Sequence, residues 1–196
     1  MLEYTIPLKP AEHLERVAEG PGDPARVRSG GQSMKWFTTW GTHTAGIYQR
    51  VAVPSGATVT FTVHGMIYTG EADGWDEGAR TFRSDAVKSG NYRIWAGIDP
   101  AGAVPAGMGS HPPDSVVWSP ASMTTDTWVP LSVSATARGG AVTVYAKGAP
   151  EWPVKHNDSW WEDACLVVGG QAAAAPVQAP APTVGSAAAA PAAPGN

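Results

Sequence analysis

Charge is scarce in this chain of 196 residues: Asp, Glu, Lys and Arg make up only 15% of it, with 13 bases against 17 acids. The formal net charge is −4. Nucleic-acid binding draws on a Lys/Arg surplus, so no nucleic-acid partner is expected. There is a single cysteine, Cys165, and so no intramolecular disulfide framework. No apolar run approaches the roughly 18–20 residues that cross a bilayer as a helix, and membrane insertion is not expected. The opening Met1-Leu2-Glu3-Tyr4 has neither a basic nor an apolar signal region, so no secretory signal is visible. Phenylalanine is rare at 3 residues, whereas tryptophan reaches 9.

Glycine (23) and proline (18) are plentiful. Both break helices and serve turns, which argues against a helical bundle. Residues 170–196 are nearly all Ala and Pro with a few small polar residues. Such a segment cannot bury enough apolar surface to offset its ordering entropy, and it reads as a disordered linker or tail. Residues 1–30 are poorly patterned and are expected to be an irregular segment packed on the domain. Within them 10–19 could form a short helix with Leu14, Val17 and Ala18 on one side, ended by Pro21-Gly22-Asp23-Pro24.

Residues 31–169 read as strands. Val59, Phe61, Val63, Gly65 and Ile67 alternate with Thr60, Thr62, His64, Met66 and Tyr68, a period of two. The same alternation runs over 92–98, 131–136, 142–147 and 164–168, with earlier strands at 33–39 and 47–53. Arg138-Gly139-Gly140 has the chemistry of a hairpin turn. Many short strands with Gly/Pro turns point to an all-β, antiparallel β-sandwich.

Catalytic patterns are weak. No Gly-x-Ser-x-Gly elbow is present, and the adjacent Ser110-His111 pair cannot face each other as nucleophile and base. The five histidines lie singly, without metal-site spacing. Cys165, in a terminal strand, reads as a buried or half-buried inert thiol. The acidic loop Glu71–Gly78 reads as solvated sooner than as a glycosidase dyad. Near the last strand lie Asp158, Glu162 and Asp163. Glu162 is in phase with Ala164 and Leu166, so it should point inward and need either a cation or a basic partner such as Arg50.

The aromatic set is the strongest signal. Trp75, Trp118, Trp152 and Trp160 lie in loops or near Pro, and His64, Met66, Tyr68, Arg93, Trp95, Tyr145 and Lys147 read as one aromatic and polar sheet face. Sugars stack C–H groups on such rings and pair hydroxyls with the polar side chains. The competing reading buries Trp95 and Tyr145 in the core. The candidate carbohydrate-binding residues are His64, Tyr68, Arg93, Trp95, Trp118, Tyr145 and Trp152.

Three stretches carry a resemblance: Gly46-Ile-Tyr-Gln-Arg-Val51; Gly97-Ile-Asp-Pro-Ala-Gly102 with Ser115-Val-Val-Trp-Ser119; and Val154–Leu166 with its Lys-His-Asn-Asp-Ser-Trp-Trp-Glu-Asp core. With Arg28-Ser-Gly-Gly31, they resemble galactose-binding-like jelly-roll domains, similar to bacterial carbohydrate-binding modules of surface or secreted proteins with Pro-rich linkers. The resemblance implies a glycan partner, an extracellular or cell-surface location, further modules beyond the tail, and no catalysis. It also implies a structural Ca2+ at one edge, with Trp161-Glu162-Asp163 matching the metal-binding pattern and Glu162 and Asp163 as ligands. The first strand of such domains, which pairs with the last, has no counterpart at Met1–Tyr4, so the last strand is expected to have an open edge. A rival function uses the same aromatics for protein contacts in a surface-layer or virion decoration domain.

Overall fold

A computed structural model of the protein describes Leu2–Ile6 and His13–Val17 as backbone strands, and residues 24–31, 33–107 and 110–169. In chain order the strands are β1 (Leu2–Ile6), β2 (His13–Val17), β3 (Ser33–Thr38), β4 (Thr44–Ala52), β5 (Thr58–Gly70) and β6 (Trp75–Asp76). There follow β7 (Thr81–Phe82), β8 (Arg93–Asp99), β9 (Val117–Trp118), β10 (Val129–Thr136), β11 (Ala141–Ala149) and β12 (His156–Gly169). One 3-10 turn, Pro24–Arg26, precedes β3.

Two five-stranded antiparallel sheets form the body. The first has the order β1-β4-β11-β8-β9 and the second β10-β5-β12-β3-β2; β6 and β7 make a separate small hairpin. The period-two pattern sets which residues meet between the sheets. Val59, Phe61, Val63 and Ile67 of β5 pack with Ile94, Ala96 and Ile98 of β8, Val142 and Val144 of β11, and Trp36 and Trp161. The alternate residues face outward, and the two outer faces carry everything discussed below.

Several expectations change. The 10–19 segment is not a helix where it is described: His13–Val17 pairs with β3, and Leu2–Ile6 pairs with β4. Neither β1 nor β2 adjoins β12. That strand lies between β5 and β3 only over 157–161; from 162 to 169 it pairs with β5 alone among the described residues, and this half keeps an open side. Arg138-Gly139-Gly140 does not close a hairpin, because β10 and β11 belong to different sheets; the turn crosses the sandwich instead. The 170–196 tail lies outside the described residues.

β12 holds an irregularity in its register between Glu162 and Cys165, where Asp163 takes φ 51°. The bulge inserts backbone and resets the alternation. Glu162 therefore loses phase with Leu166; Cys165, expected to be buried or half-buried, is exposed.

A buried polar chain ties the sheets together at one end. Trp161 Nε1 donates to Ser159 Oγ (3.0 Å), which lies 3.0 Å from the Tyr92 hydroxyl, itself 2.7 Å from His43 Nε2. His43 Nδ1 is 3.0 Å from Thr38 Oγ1, which donates to the Gly41 carbonyl (2.8 Å). The final carbonyl can only accept, so the donors run consistently if Tyr92 donates to a neutral His43 carrying its proton on Nδ1. Burial pushes the His43 pKa down to about 3, which keeps it in that neutral form.

Candidate functional site

The outer face of the second sheet is built around Trp160. β12 sends Asp158 and Trp160 outward, β5 sends Met66 and Tyr68, and β3 sends Lys35 opposite Trp160. Met66, Tyr68 and Trp160 form a buried cluster against Phe82 and Trp128. Trp160 is only 1% exposed although its strand lies on the surface of the sandwich. The 71–84 segment covers it, since its hairpin β6–β7 folds over this face. Asp76 holds the hairpin tip by accepting from the Gly78 and Ala79 N–H groups (2.9 and 3.0 Å).

Arg26 is the keystone of this layer. Its guanidinium lies over Tyr68 and Trp160 at 4.8 and 4.6 Å from the ring centroids. It donates to the Phe82 carbonyl at 2.8 Å and sits 4.0 Å from Asp126. Buried arginine is stable only where such partners replace water.

Between Arg26, Lys35, Tyr68, Asp73, Phe82, His156, Asp158 and Trp160 lies a pocket of about 130 Å³. Lys35 Nζ pairs with Asp158 Oδ2 at 3.1 Å and lies 4.8 Å over both Trp160 and Phe37. Burial pushes the Asp158 carboxyl above its ordinary pKa, and Lys35 opposes that. Across the pocket, Asp73 accepts from Lys155 Nζ and His156 Nε2, both at 2.6 Å. These bonds hold the Asp73 carboxyl below its ordinary pKa. Asp158 Oδ1 and Trp160 Nε1 are buried without a hydrogen-bond partner among the described residues. One is an acceptor and the other a donor, both on residues that line the pocket. Trp75, 38% exposed, stands edge-on to Phe82 with ring centroids 5.0 Å apart.

The outer face of the first sheet is separate. Tyr145 is fully buried, stacked on Tyr48 (5.9 Å) and tilted against Trp118 (5.9 Å), and its hydroxyl donates to the Ala103 carbonyl (2.9 Å). Gly97 makes room for Trp118: a Cβ there would stand 2.6 Å from the indole. Lys147 Nζ lies 4.4 Å over Trp95 and 4.1 Å over Trp118.

The single face expected from the alternation is thus two opposite faces. His64, Met66 and Tyr68 belong to one; Arg93, Trp95, Trp118, Tyr145 and Lys147 belong to the other. Only Tyr68 lines the Trp160 pocket. His64 lies across from Glu162. Arg93 is paired with Glu151 at 3.1 Å. Trp152, 56% exposed, belongs to the loop after β11, where its N–H donates to the Gly90 carbonyl. Trp160 is neither in a loop nor wet. The pocket residues that the sequence did not single out as a set are Arg26, Lys35, Asp73, Phe82, His156, Asp158 and Trp160. Asp158-x-Trp160 shares one face by period two, a signal that was available; its pairing with Lys35 needed the strand order.

Glu162 and Asp163 face Arg28 and Ser29, not the core. The Arg28 and Ser29 N–H groups donate to the two Glu162 oxygens (2.8 and 2.7 Å). Ser29 Oγ donates to Asp163 (2.7 Å), which also pairs with the Arg28 guanidinium. Arg50 instead donates to the Gly102 carbonyl (3.0 Å). Calcium takes six to eight oxygen ligands, and here it would have to displace a guanidinium and three donors. Among the described residues no cluster of three or more His, Cys, Asp or Glu is placed to hold a metal ion. The site's chemistry is that of protein donors on carboxylates.

No protein-family profile matches the chain, and no curated protein does. Solved structures do resemble it. TmCBM61, solved in complex with β-1,4-galactotriose, superposes with a TM-score of 0.52 at 10% identity, over 85% of this chain and 88% of that one. A family 16 carbohydrate-binding module gives 0.40 at 14% identity over 74% and 82% of the two chains. A CBM4 structure gives 0.38 at 9% identity over 70% and 84%. The first of these likenesses establishes a shared β-sandwich fold, the architecture in which a carbohydrate-binding module is built.

Proposed function

We propose that this protein is a non-catalytic carbohydrate-binding domain whose primary site is the Trp160 pocket, displayed outside the cell with the Ala/Pro-rich 170–196 segment as its linker. The observation that carries the reading is the wall of that pocket. Rings of Tyr68 and Phe82 stand beside a buried carboxylate oxygen and a buried indole N–H that lack partners among the described residues. A sugar hydroxyl is donor and acceptor at once, and a vicinal pair of hydroxyls could answer both atoms. The fixed charges in the pocket come in both signs and are largely paired, which suits a neutral ligand. The pocket is smaller than the roughly 300–1,000 Å³ of drug-sized sites, so it suits one ring or a chain end, with Trp75 beside it as a platform for the next. Affinity for a single site should be weak, about 10 μM to 1 mM, and linkage to other modules would raise it through effective concentration.

A glycan array followed by calorimetry on the best neutral oligosaccharide tests the reading. Asp158→Asn and Trp75→Ala should each weaken binding at least tenfold at a temperature where melting curves show both variants folded. Unchanged binding in both would remove the site. A protein that oligomerises and ignores every glycan would belong to the rival class of assembly domains.

A further inference from the structure

We propose that the opposite face of the sandwich holds a second, independent site, which takes the carboxylate of an acidic saccharide on Lys147. The argument starts from an unusual ammonium. Lys147 extends from β11 onto the outer face of the first sheet, where the Trp95 and Trp118 rings hold its Nζ at 4.4 and 4.1 Å. Lysine is rarely taken out of water without a counterion. Among the described residues the Lys147 ammonium makes no hydrogen bond and no ion pair. The neighbouring cation on this face, Arg93, is already paired with Glu151. The rings attract the ammonium through their π faces, but they accept none of its three N–H donors in the way an oxygen would.

The same ammonium lines an open pocket of about 300 Å³ with Trp118, His111, Asp114 and Pro112-Pro113. A ligand entering it meets the Lys147 ammonium, an aromatic wall, and the Asp114 and His111 side chains able to pair with hydroxyls. Desolvation lowers the Lys147 pKa, which agrees with an ammonium partly shielded by the two rings. A hexuronate matches these features: its carboxylate meets Lys147, its ring lies along Trp118 or the prolines, and its hydroxyls reach Asp114 and His111. Asp114 disfavours small bare anions, so the ring contacts are needed for binding. The charge state of the face distinguishes it from the Trp160 pocket, where Lys35 already has Asp158. The ligand class rests on the carbohydrate-binding reading above; the site does not share its residues.

The test is calorimetry of the full chain with trigalacturonate, with the matching neutral trigalactoside, and with acetate. Trigalacturonate should bind, acetate should not bind measurably at the same concentrations, and Lys147→Met should weaken trigalacturonate at least tenfold while Lys147→Arg retains most of it. Raising the salt to 0.5 M should weaken the acidic ligand and spare the neutral one, because screening acts on the charge. Melting curves of both variants report folding. Trigalacturonate bound equally by wild type and Lys147→Met, displaced fully by the neutral trisaccharide, or not bound at all overturns the proposal. Lys147-dependent binding of trigalacturonate with no neutral glycan bound anywhere would remove the Trp160 pocket and leave this site standing.

Discussion

The two outer faces of the sandwich carry similar side chains in different states. Each has lysine lying over tryptophan. On the second sheet, Lys35 over Trp160 has a buried carboxylate at 3.1 Å, and a hairpin covers the ring. On the first sheet, Lys147 over Trp95 and Trp118 has no such partner among the described residues, and the rings remain half-buried. The difference comes from what stands beside each lysine in the sheet. Asp158 is Lys35's outward neighbour through β12–β3 pairing, whereas Lys147 faces Trp95 across β11–β8. One face is therefore an internally neutralised polar layer, and the other keeps a charge for something else to meet.

The largest test of this contrast removes each lysine in turn. Lys35→Met leaves the buried Asp158 carboxylate without its 3.1 Å counterion and should cost about 3–5 kcal/mol at neutral pH. That cost should shrink as pH falls, because Asp158 can take a proton. Lys147→Met orphans no carboxylate, and its effect should stay within about 1 kcal/mol. Urea unfolding at pH 7 and pH 5 measures both, and equal costs would break the comparison.

Acid should also act on the interior, and this must be separated from either face. His43 has a folded pKa of about 3 against an ordinary 6.5. The unfolded chain thus binds a proton below pH 6.5 that the folded chain refuses. Stability from this group is complete above that value and falls by about 1.4 kcal/mol per pH unit as acid is added toward the folded pKa. In a stability–pH series, His43→Gln should flatten this slope, at some cost in stability at pH 7.

Asp158 has the opposite sign. Its folded pKa is raised, so the folded state holds the proton longer, and stability from this group declines as pH rises through the interval between the unfolded and folded values. Asp158→Asn should remove that decline while weakening neutral-glycan binding, and Lys35 loses its counterion in the same change. A titration monitored by carboxyl NMR resonances would locate the midpoint above the usual aspartate range; a midpoint at or below it would contradict the burial argument. The smallest expected effect is that of a calcium chelator. With Glu162 and Asp163 engaged by Arg28 and Ser29, the melting temperature should move by less than about 1 °C. A shift of several degrees would show that a cation displaces those donors.

The strands were readable because alternation is local. Val59 to Tyr68 announces one buried and one outward row, and β5 obeys it. Local alternation cannot say which sheet a strand joins. That is why His64 and Tyr68 were grouped with Trp95 and Tyr145, which lie on the far side of the molecule, and why Arg138–Gly140 looked like a hairpin. It also fails where the register breaks. The bulge after Glu162 puts that carboxylate out of phase with Leu166 and beside Arg28. β12 is expected to have an open edge because the strand that pairs with it in the resembling domains has no counterpart at the start of the sequence; its first half instead lies between β5 and β3, while its second half pairs with β5 alone among the described residues.

Composition and alternation by themselves determined an all-β sandwich with a surplus of tryptophan and little charge, since turn residues and period-two burial act over a few neighbours. Only the tertiary structure decided which rings are sealed, which cations are neutralised and where pockets open. Those properties depend on strand order and on a hairpin folding back across a sheet, contacts between residues far apart in the chain that no local pattern encodes.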